Sequence, residues 1–135
     1  MPFETQWFLE NKIIYVKAIG IIEDKELEAL DQLTMKMLDS SPYKQIHFLY
    51  DPSEQISPPR LKALGAMKSP HHPRYGWYVQ CAEQNKAVNL AGVYYSKSAN
   101  LRSRMFPTIE EALNFIKEID PEVIYLFTEA NIKGS

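Results

Sequence analysis

The sequence contains a single cysteine, Cys81, among its 135 residues. One cysteine excludes an internal disulfide and a metal site built from several thiolates. The five glycines are scattered, and no glycine-rich phosphate-binding loop is present, so we do not expect nucleotide chemistry. No apolar run approaches the roughly 18 residues of a membrane span, and the first residues lack the layout of a signal peptide. These absences predict a cytoplasmic protein with no transmembrane segment.

The chain also lacks an excess of positive charge, because 15 Lys and Arg residues stand against 17 Asp and Glu residues. This balance does not create the positive field that non-specific nucleic-acid binding requires, so we expect no nucleic-acid partner. We also expect no metal and no cofactor. What remains is ordinary for a globular protein, with 45% apolar and 24% charged residues. A chain of this length allows one domain with one real core.

The spacing of apolar residues predicts an α/β fold in which strands alternate with about four helices. We predict strands over residues 5–9, 12–19, 45–50, 75–82 and 101–106. We predict helices over residues 24–40, from residue 57, over residues 84–95 and over residues 108–119. The resulting order, β-β-α-β-α-β-α-β-α, indicates one domain over residues 1–120 with a mixed sheet, followed by a tail over residues 121–135.

Helix-capping residues define several of these boundaries. Asp24 is suited to cap the first helix, and Thr108 with Glu111 forms a capping box before the last one. The segment 51–53 (Asp-Pro-Ser) predicts the end of the third strand. Ser57, followed by two prolines, is typical of the cap of the second helix.

This order of elements resembles the STAS domain family of anti-sigma-factor antagonists, and in particular its SpoIIAA-like branch. The likeness spans Trp7 to Ile119. It is carried by the segments NKIIYVKAIGIIED, QIHFLYD and MFPTIEEAL, which begin at residues 11, 45 and 105. The resemblance implies a mixed sheet packed by helices, and binding without catalysis.

One departure from the family concerns its phosphorylation switch. Members that act as switches carry an Asp-Ser-Ser-Gly-like motif where the third strand meets the second helix. The matching segment here is residues 51–59, in which Ser57 takes the place of the phosphorylated serine and Ser53 is a second candidate. No such motif surrounds either serine. The SpoIIAA-like branch also lacks the switch, and its fold resembles that of lipid-binding proteins.

The candidate ligand-binding or partner-binding residues are Asp51, Ser57, Trp77, Tyr95 and Phe106. Asp51 is predicted at the end of a central strand, where ligands of α/β sheets collect. The three aromatic residues could line an apolar pocket or a partner surface. The structural alternative is that Asp51 and Ser57 act as turn and cap residues, and that the aromatic side chains belong to the core.

The neighbouring His71 and His72 allow an enzymatic interpretation, in which one of them acts with Asp51 as an acid–base pair. Against this, adjacent side chains in an extended loop point in different directions. The third histidine, His47, is predicted to lie in the core. Cys81 is predicted to lie in a buried strand, where a thiol behaves as a small hydrophobe.

The sequence therefore predicts a non-catalytic binding or regulatory module that engages a protein partner or an apolar, lipid-like small molecule. One alternative is a phospho-switched antagonist that uses Ser57 or Ser53. The other is an enzyme that uses His71 or His72 with Asp51. The apolar segment 123–127 has no evident place in the sheet and suggests a homodimer.

Overall fold

The sheet contains five strands within residues 2–81 and 85–134, the part of the chain described by this computed structural model; for residues 130–134 only the backbone is described. The strands are β1 (Phe3–Leu9), β2 (Ile13–Ile21), β3 (Ile46–Ser57), β4 (Tyr75–Cys81) and β5 (Ser103–Phe106). Their spatial order follows the sequence. β1 and β2 are antiparallel, and every later neighbour pair is parallel, which confirms the predicted mixed sheet.

In the same described residues, five helices connect and cover these strands. They are α1 (Asp24–Ser40), α2 (Leu61–Gly65), α3 (Lys86–Ser98), α4 (Ile109–Ile119) and α5 (Pro121–Gly134), and a single 3-10 turn spans Ser69–His71. Parallel strands need crossover connections, and α1, α2 and α3 supply them. The predicted end of the fourth strand at residue 82 and start of the third helix at residue 84 lie outside the described residues.

The core has two layers because successive side chains of a strand point to opposite faces. Ile14 lies on what we call the first face, which α1, α2 and α3 cover, whereas Ile13 lies on the second face beneath α4 and α5. The first layer is the larger and includes the buried side chains of Leu27, Leu30, Leu38, Phe48, Leu64, Tyr78, Ala91 and Tyr95. The second layer includes those of Leu9, Leu49, Val79, Ala112, Ile116 and Val123.

Leu27, Leu30 and Leu38 of the first helix are buried and form its apolar stripe. Leu33, at a position of the same apolar spacing, is 42% exposed, and Thr34 is buried beside the stripe instead. The N-cap of α1 is Glu23 and not Asp24. The Glu23 amide donates to the carboxylate of Glu26 at 3.4 Å, which satisfies a backbone donor before the helix begins.

The third strand is longer than predicted, because it continues through Asp51 to Ser57. Lys17 pairs with Asp51 and Ile19 pairs with Glu54, so residues 52 and 53 face a single residue of β2. This is a β-bulge, one of the few positions in a sheet that tolerates proline. The predictions that β3 ends at Asp51 and that Ser57 caps α2 are therefore wrong. The N-cap of α2 is Arg60.

The C-terminal tail forms α5 and packs on the second face. Pro121 is its first residue, a position where the missing amide proton costs nothing. Val123 is fully buried against the sheet, and Leu126 and Phe127 pack beside it. Part of the segment 123–127 thus has a place within the monomer.

Candidate functional site

Four large aliphatic side chains are exposed on the strands and helices that meet at the carboxyl ends of the parallel strands. They are Ile21 (64% exposed), Ile56 (66%), Leu61 (49%) and Leu90 (67%), and we call them the carboxyl-end surface. The ends of β2 and β3 meet here, and α2 starts on this side of the sheet. The start of α3 joins them, since the Asn85 amide group donates to the carbonyl of Ile56 at 2.9 Å. Clustered exposed apolar side chains are typical of interaction surfaces.

An apolar cavity of about 40 Å³ lies beneath this surface, between the sheet and the helices. Tyr95 and Gln55 both contribute to its lining. Gln55 is buried and ties the end of β3 together, because it accepts a hydrogen bond from Tyr50 Oη at 2.6 Å and donates to the carbonyl of Ser57 at 3.1 Å. Pockets for organic ligands measure roughly 300–1,000 Å³. The cavity has room for a few water molecules and not for a lipid.

Asp51 is buried within β3 and does not stand at the strand end. Its carboxylate accepts hydrogen bonds from Tyr15 Oη at 2.7 Å and from the Ser53 amide at 3.0 Å. Burial alone would raise the pKa of Asp51, but these hydrogen bonds and the charge of Lys17 outweigh burial and lower it. Burial, and then the contact with Asp51, raise the pKa of Tyr15. Asp51 is thus held as a charged, fully engaged group.

The two candidate phosphorylation sites lie on the irregular half of β3. Ser53 is exposed in the bulge, and Ser57 is half-buried at the end of the strand, directly after the exposed Ile56. Neither serine is at a helix N-terminus, where a phosphate would meet free backbone amides.

The three aromatic candidates do not share one pocket. Tyr95 is buried on the first face, where its hydroxyl lies 3.1 Å from that of Tyr75. Trp77 and Phe106 are half-buried on the second face and meet through Phe115, with ring centres 5.1 and 5.2 Å from it. The alternation of strand side chains separates the two groups.

The structure does not bring the histidines to Asp51. His72 Nε2 lies 2.8 Å from Asp39, and its Nδ1 accepts from the Arg74 amide at 3.1 Å, so Nε2 carries the proton. β3 and β4 are in register at Ile46 and Tyr75, just after this loop. Asp51 lies five residues further along β3, about 17 Å away.

A buried polar cluster that the sequence analysis did not predict lies at the other end of the sheet. Lys12 Nζ is 2.8 Å from Asp120 Oδ2 and donates to Glu122 Oε1 and to the Gln45 carbonyl, both also at 2.8 Å. His47, fully buried as predicted, lies 2.9 Å from the same Asp120 oxygen. No spacing signal marks this cluster, and a lysine is rarely found buried unless it is paired.

The protonation of this cluster follows from its hydrogen bonds. The Trp77 amide donates to His47 Nδ1 at 3.2 Å, so His47 Nε2 carries the proton and donates to Asp120. Burial lowers the pKa of His47, and Asp120 offsets this only in part. For Asp120, hydrogen bonds from Lys12 and His47 outweigh burial and lower the pKa. The cluster therefore holds a neutral imidazole and a charged carboxylate.

The Cys81 thiol is buried as predicted, and burial raises its pKa to about 11. Within residues 2–81 and 85–134, no three His, Cys, Asp or Glu side chains are grouped as metal ligands. In the same residues, no helix has both the length and the apolar character needed to cross a membrane.

Two solved structures share this arrangement of strands and helices. One is an uncharacterised protein of the DUF3478 family with a SpoIIAA-like fold, from Shewanella loihica PV-4. It is 17% identical, with a TM-score of 0.57 over 84% of this chain and 90% of that one. The other is an anti-sigma factor antagonist from Mycobacterium paratuberculosis. It is 20% identical, with a TM-score of 0.51 over 85% of this chain and 94% of that one.

The chain has a SpoIIAA-like fold. This confirms the fold predicted from the resemblance to STAS domains. No protein-family model matches the sequence, and no curated protein matches it either. Identities below 25% establish the fold alone, because one fold supports many functions.

Proposed function

We propose that this protein is a non-catalytic regulatory module that binds a protein partner through its carboxyl-end surface. The observation that carries the proposal is the exposure of Ile21, Ile56, Leu61 and Leu90 where the strand ends and two helices meet. Removing these side chains from water would favour association. The solved anti-sigma factor antagonist of the same fold is a regulatory protein, which agrees with this class of function.

Several groups that could support catalysis are engaged elsewhere, whereas His71 is exposed at the end of the 3-10 turn. Asp51 is bonded to Tyr15 and Ser53, His72 is paired with Asp39, and the buried Cys81 has a raised pKa. A binding function needs none of them to be free. The protein would act by favouring one state of its partner through differential affinity.

An apolar, lipid-like ligand is the competing occupant. The cavity beneath the surface has an apolar lining that includes Tyr95 and Leu64, but about 40 Å³ is too small for a lipid unless the helices move apart. Native mass spectrometry of the gently purified full chain tests this alternative directly. A retained mass of lipid size would favour it over the protein partner.

Phosphorylation is the second candidate, in the form of a switch on this same surface. Ser57 directly follows Ile56, and Ser53 is exposed on the same strand. A phosphate carries nearly two negative charges at neutral pH. On Ser57 it would introduce charge into an apolar interface and oppose docking.

The test of the main proposal is a quantitative co-purification from cells that produce the tagged full chain. Leu90→Asp removes an exposed apolar side chain from the carboxyl-end surface. Leu33→Asp is the matched control, because Leu33 is also exposed (42%) but lies on α1. We expect at least one protein to be lost from the Leu90→Asp sample and retained by Leu33→Asp. Identical protein profiles from the two variants would contradict the proposal.

A further inference from the structure

β5 forms one edge of the sheet, and half of its backbone groups point outward. The amide of Tyr78 donates to the carbonyl of Arg102 at 2.9 Å, so Arg102 faces β4. Backbone groups alternate in direction along a strand, so the N–H and C=O of Ser103 and Met105 face away from β4. No further strand follows β5 in the sheet of the described residues. Two donors and two acceptors are therefore open to an additional strand.

Two exposed arginines flank this edge on the second face. The guanidinium carbon of Arg102 lies 5.3 Å from the centre of the Trp77 ring, and that of Arg104 lies 5.1 Å from the Phe115 ring. Neither arginine forms an ion pair with any residue in the described part of the chain. The aromatic rings therefore hold two unpaired cations beside the open backbone groups.

The other face of the same edge carries a groove between α3 and β5. Its volume is about 320 Å³, and Val93, Leu101 and Met105 contribute apolar lining. Because side chains alternate along a strand, Met105 faces this groove, whereas the guanidinium groups of Arg102 and Arg104 lie against aromatic rings of the opposite face. Arg104 and Lys97 also border the groove. The edge thus offers a partly apolar groove on one side and two cations on the other.

We propose that this edge binds an extended segment of a partner protein in which acidic and apolar residues alternate. The segment adds a sixth strand beside β5 and bonds to the backbone of Ser103 and Met105. Its apolar side chains enter the groove, and its carboxylates lie over Arg102 and Arg104. This edge is distinct from the carboxyl-end surface, so the inference goes beyond the proposed function.

A second copy of the chain is a poorer occupant. Antiparallel pairing of β5 with the β5 of another copy places the arginines of both copies on one face of the joined sheet. Like charges on neighbouring strands are destabilising. The positive charge of the edge therefore favours an acidic partner over self-association.

The test uses a dye-labelled, end-capped octapeptide in which Glu and Val alternate, titrated into the full chain and followed by fluorescence anisotropy. One comparison peptide replaces every Glu by Lys, and another carries the same residues as a Glu block followed by a Val block. We expect each to bind at least about tenfold more weakly, because the first loses the charge match and the second the alternation. In a ¹⁵N-labelled sample, the amides of Ser103 and Met105 should gain protection from hydrogen exchange.

The matched protein variants are Arg102→Gln/Arg104→Gln and Lys25→Gln/Lys36→Gln. Both remove two exposed positive charges, but Lys25 and Lys36 lie on α1. We expect about tenfold weaker binding of the Glu–Val peptide only in the arginine variant. Equal affinity for the three peptides, equal effects of the two variants, or no binding at about 1 mM peptide would overturn the inference.

Discussion

Lys12 Nζ and Asp120 Oδ2 are 2.8 Å apart, and the Lys12 side chain is only 1% exposed. Lys12 lies in the turn between β1 and β2, and Asp120 precedes α5, so this pair joins that turn to the C-terminal helix. The other oxygen of Asp120, Oδ1, accepts from the Glu122 amide at 3.3 Å and caps α5. One carboxylate therefore starts the helix and fixes it to the sheet.

The first prediction concerns the removal of this buried cation. Lys12→Met leaves Asp120 partly buried without its ionic partner, which destabilises the fold by about 3 kcal/mol. We expect a lower free energy of unfolding in urea and faster proteolysis within α5. Asp120→Asn should lower the free energy of unfolding less in the Lys12→Met variant than in the wild type. If Lys12→Met lowered the free energy of unfolding by less than about 0.5 kcal/mol, the pair would contribute no more than an exposed ion pair does.

The second prediction is a loss of stability in mild acid. His47 has a lowered pKa in the folded protein, so the unfolded chain binds the proton more readily. In the unfolded chain the pKa of histidine is near 6.5, and above that pH the neutral His47 costs the folded state nothing. As the pH falls below that value, the free energy of unfolding declines by at most about 1.4 kcal/mol per pH unit. Asp120, whose pKa is also lowered, adds a further loss as the pH falls through its folded pKa.

The measurement is urea unfolding at several pH values between 7 and 5. His47→Gln keeps a donor toward Asp120 but cannot titrate, so its stability should change less over this range than that of the wild type. If the free energy of unfolding changed equally with pH in the two proteins, groups other than His47 would cause the acid sensitivity.

The buried cluster of Lys12, His47 and Asp120 is a part of the structure that the sequence did not predict. Apolar periodicity predicted the strands and four of the helices because burial of one face determines them. It could not predict α5, because Asp120-Pro121 both ends α4 and starts the next helix. Lys12 resembled a surface residue, since its burial depends on Asp120 and Glu122 more than 100 positions away.

The third prediction concerns Gly92 in α3. A Cβ atom at this position would overlap Gln80 Oε1, which accepts a hydrogen bond from Tyr78 Oη at 2.6 Å. Gly92→Ala therefore displaces Gln80 in the core and destabilises the protein by about 1–3 kcal/mol, despite the better helix propensity of alanine. Thermal unfolding of Gly92→Ala, Gln80→Ala and the double variant checks this. The double variant should be more stable than the sum of the single changes implies.

The structure places the candidate site residues without testing their role, so that role stays a prediction. Gln55 connects two of the candidates, because it bonds to the carbonyl of Ser57 and lines the same cavity as Tyr95. The bulge at Pro52 was not predictable from a strand pattern, because proline usually ends a strand and here only interrupts its pairing. Tyr95 and Trp77 are separated because they pack on opposite faces of the sheet, and the sequence did not show which face α3 covers.

The fourth prediction concerns self-association through α5. Val123 is buried within the monomer, but Ile124 and Tyr125 of the same helix are 51% and 60% exposed. We expect light scattering to give the mass of a dimer for the wild type and a monomer for Ile124→Asp. A monomeric mass for the intact wild-type chain at high concentration would contradict the predicted homodimer.

The fifth prediction separates the two serines as regulatory sites. Ser57→Asp places a negative charge beside Ile56 on the carboxyl-end surface, so we expect it to reduce capture of the partner while thermal stability is unchanged. Ser57→Ala adds no charge and should leave capture intact. Ser53→Asp carries the same charge in the bulge, so comparing the two Asp variants shows which serine controls docking. Undiminished capture by both Asp variants would reject the phospho-switched alternative, since the surface would then tolerate the charge that a phosphate introduces.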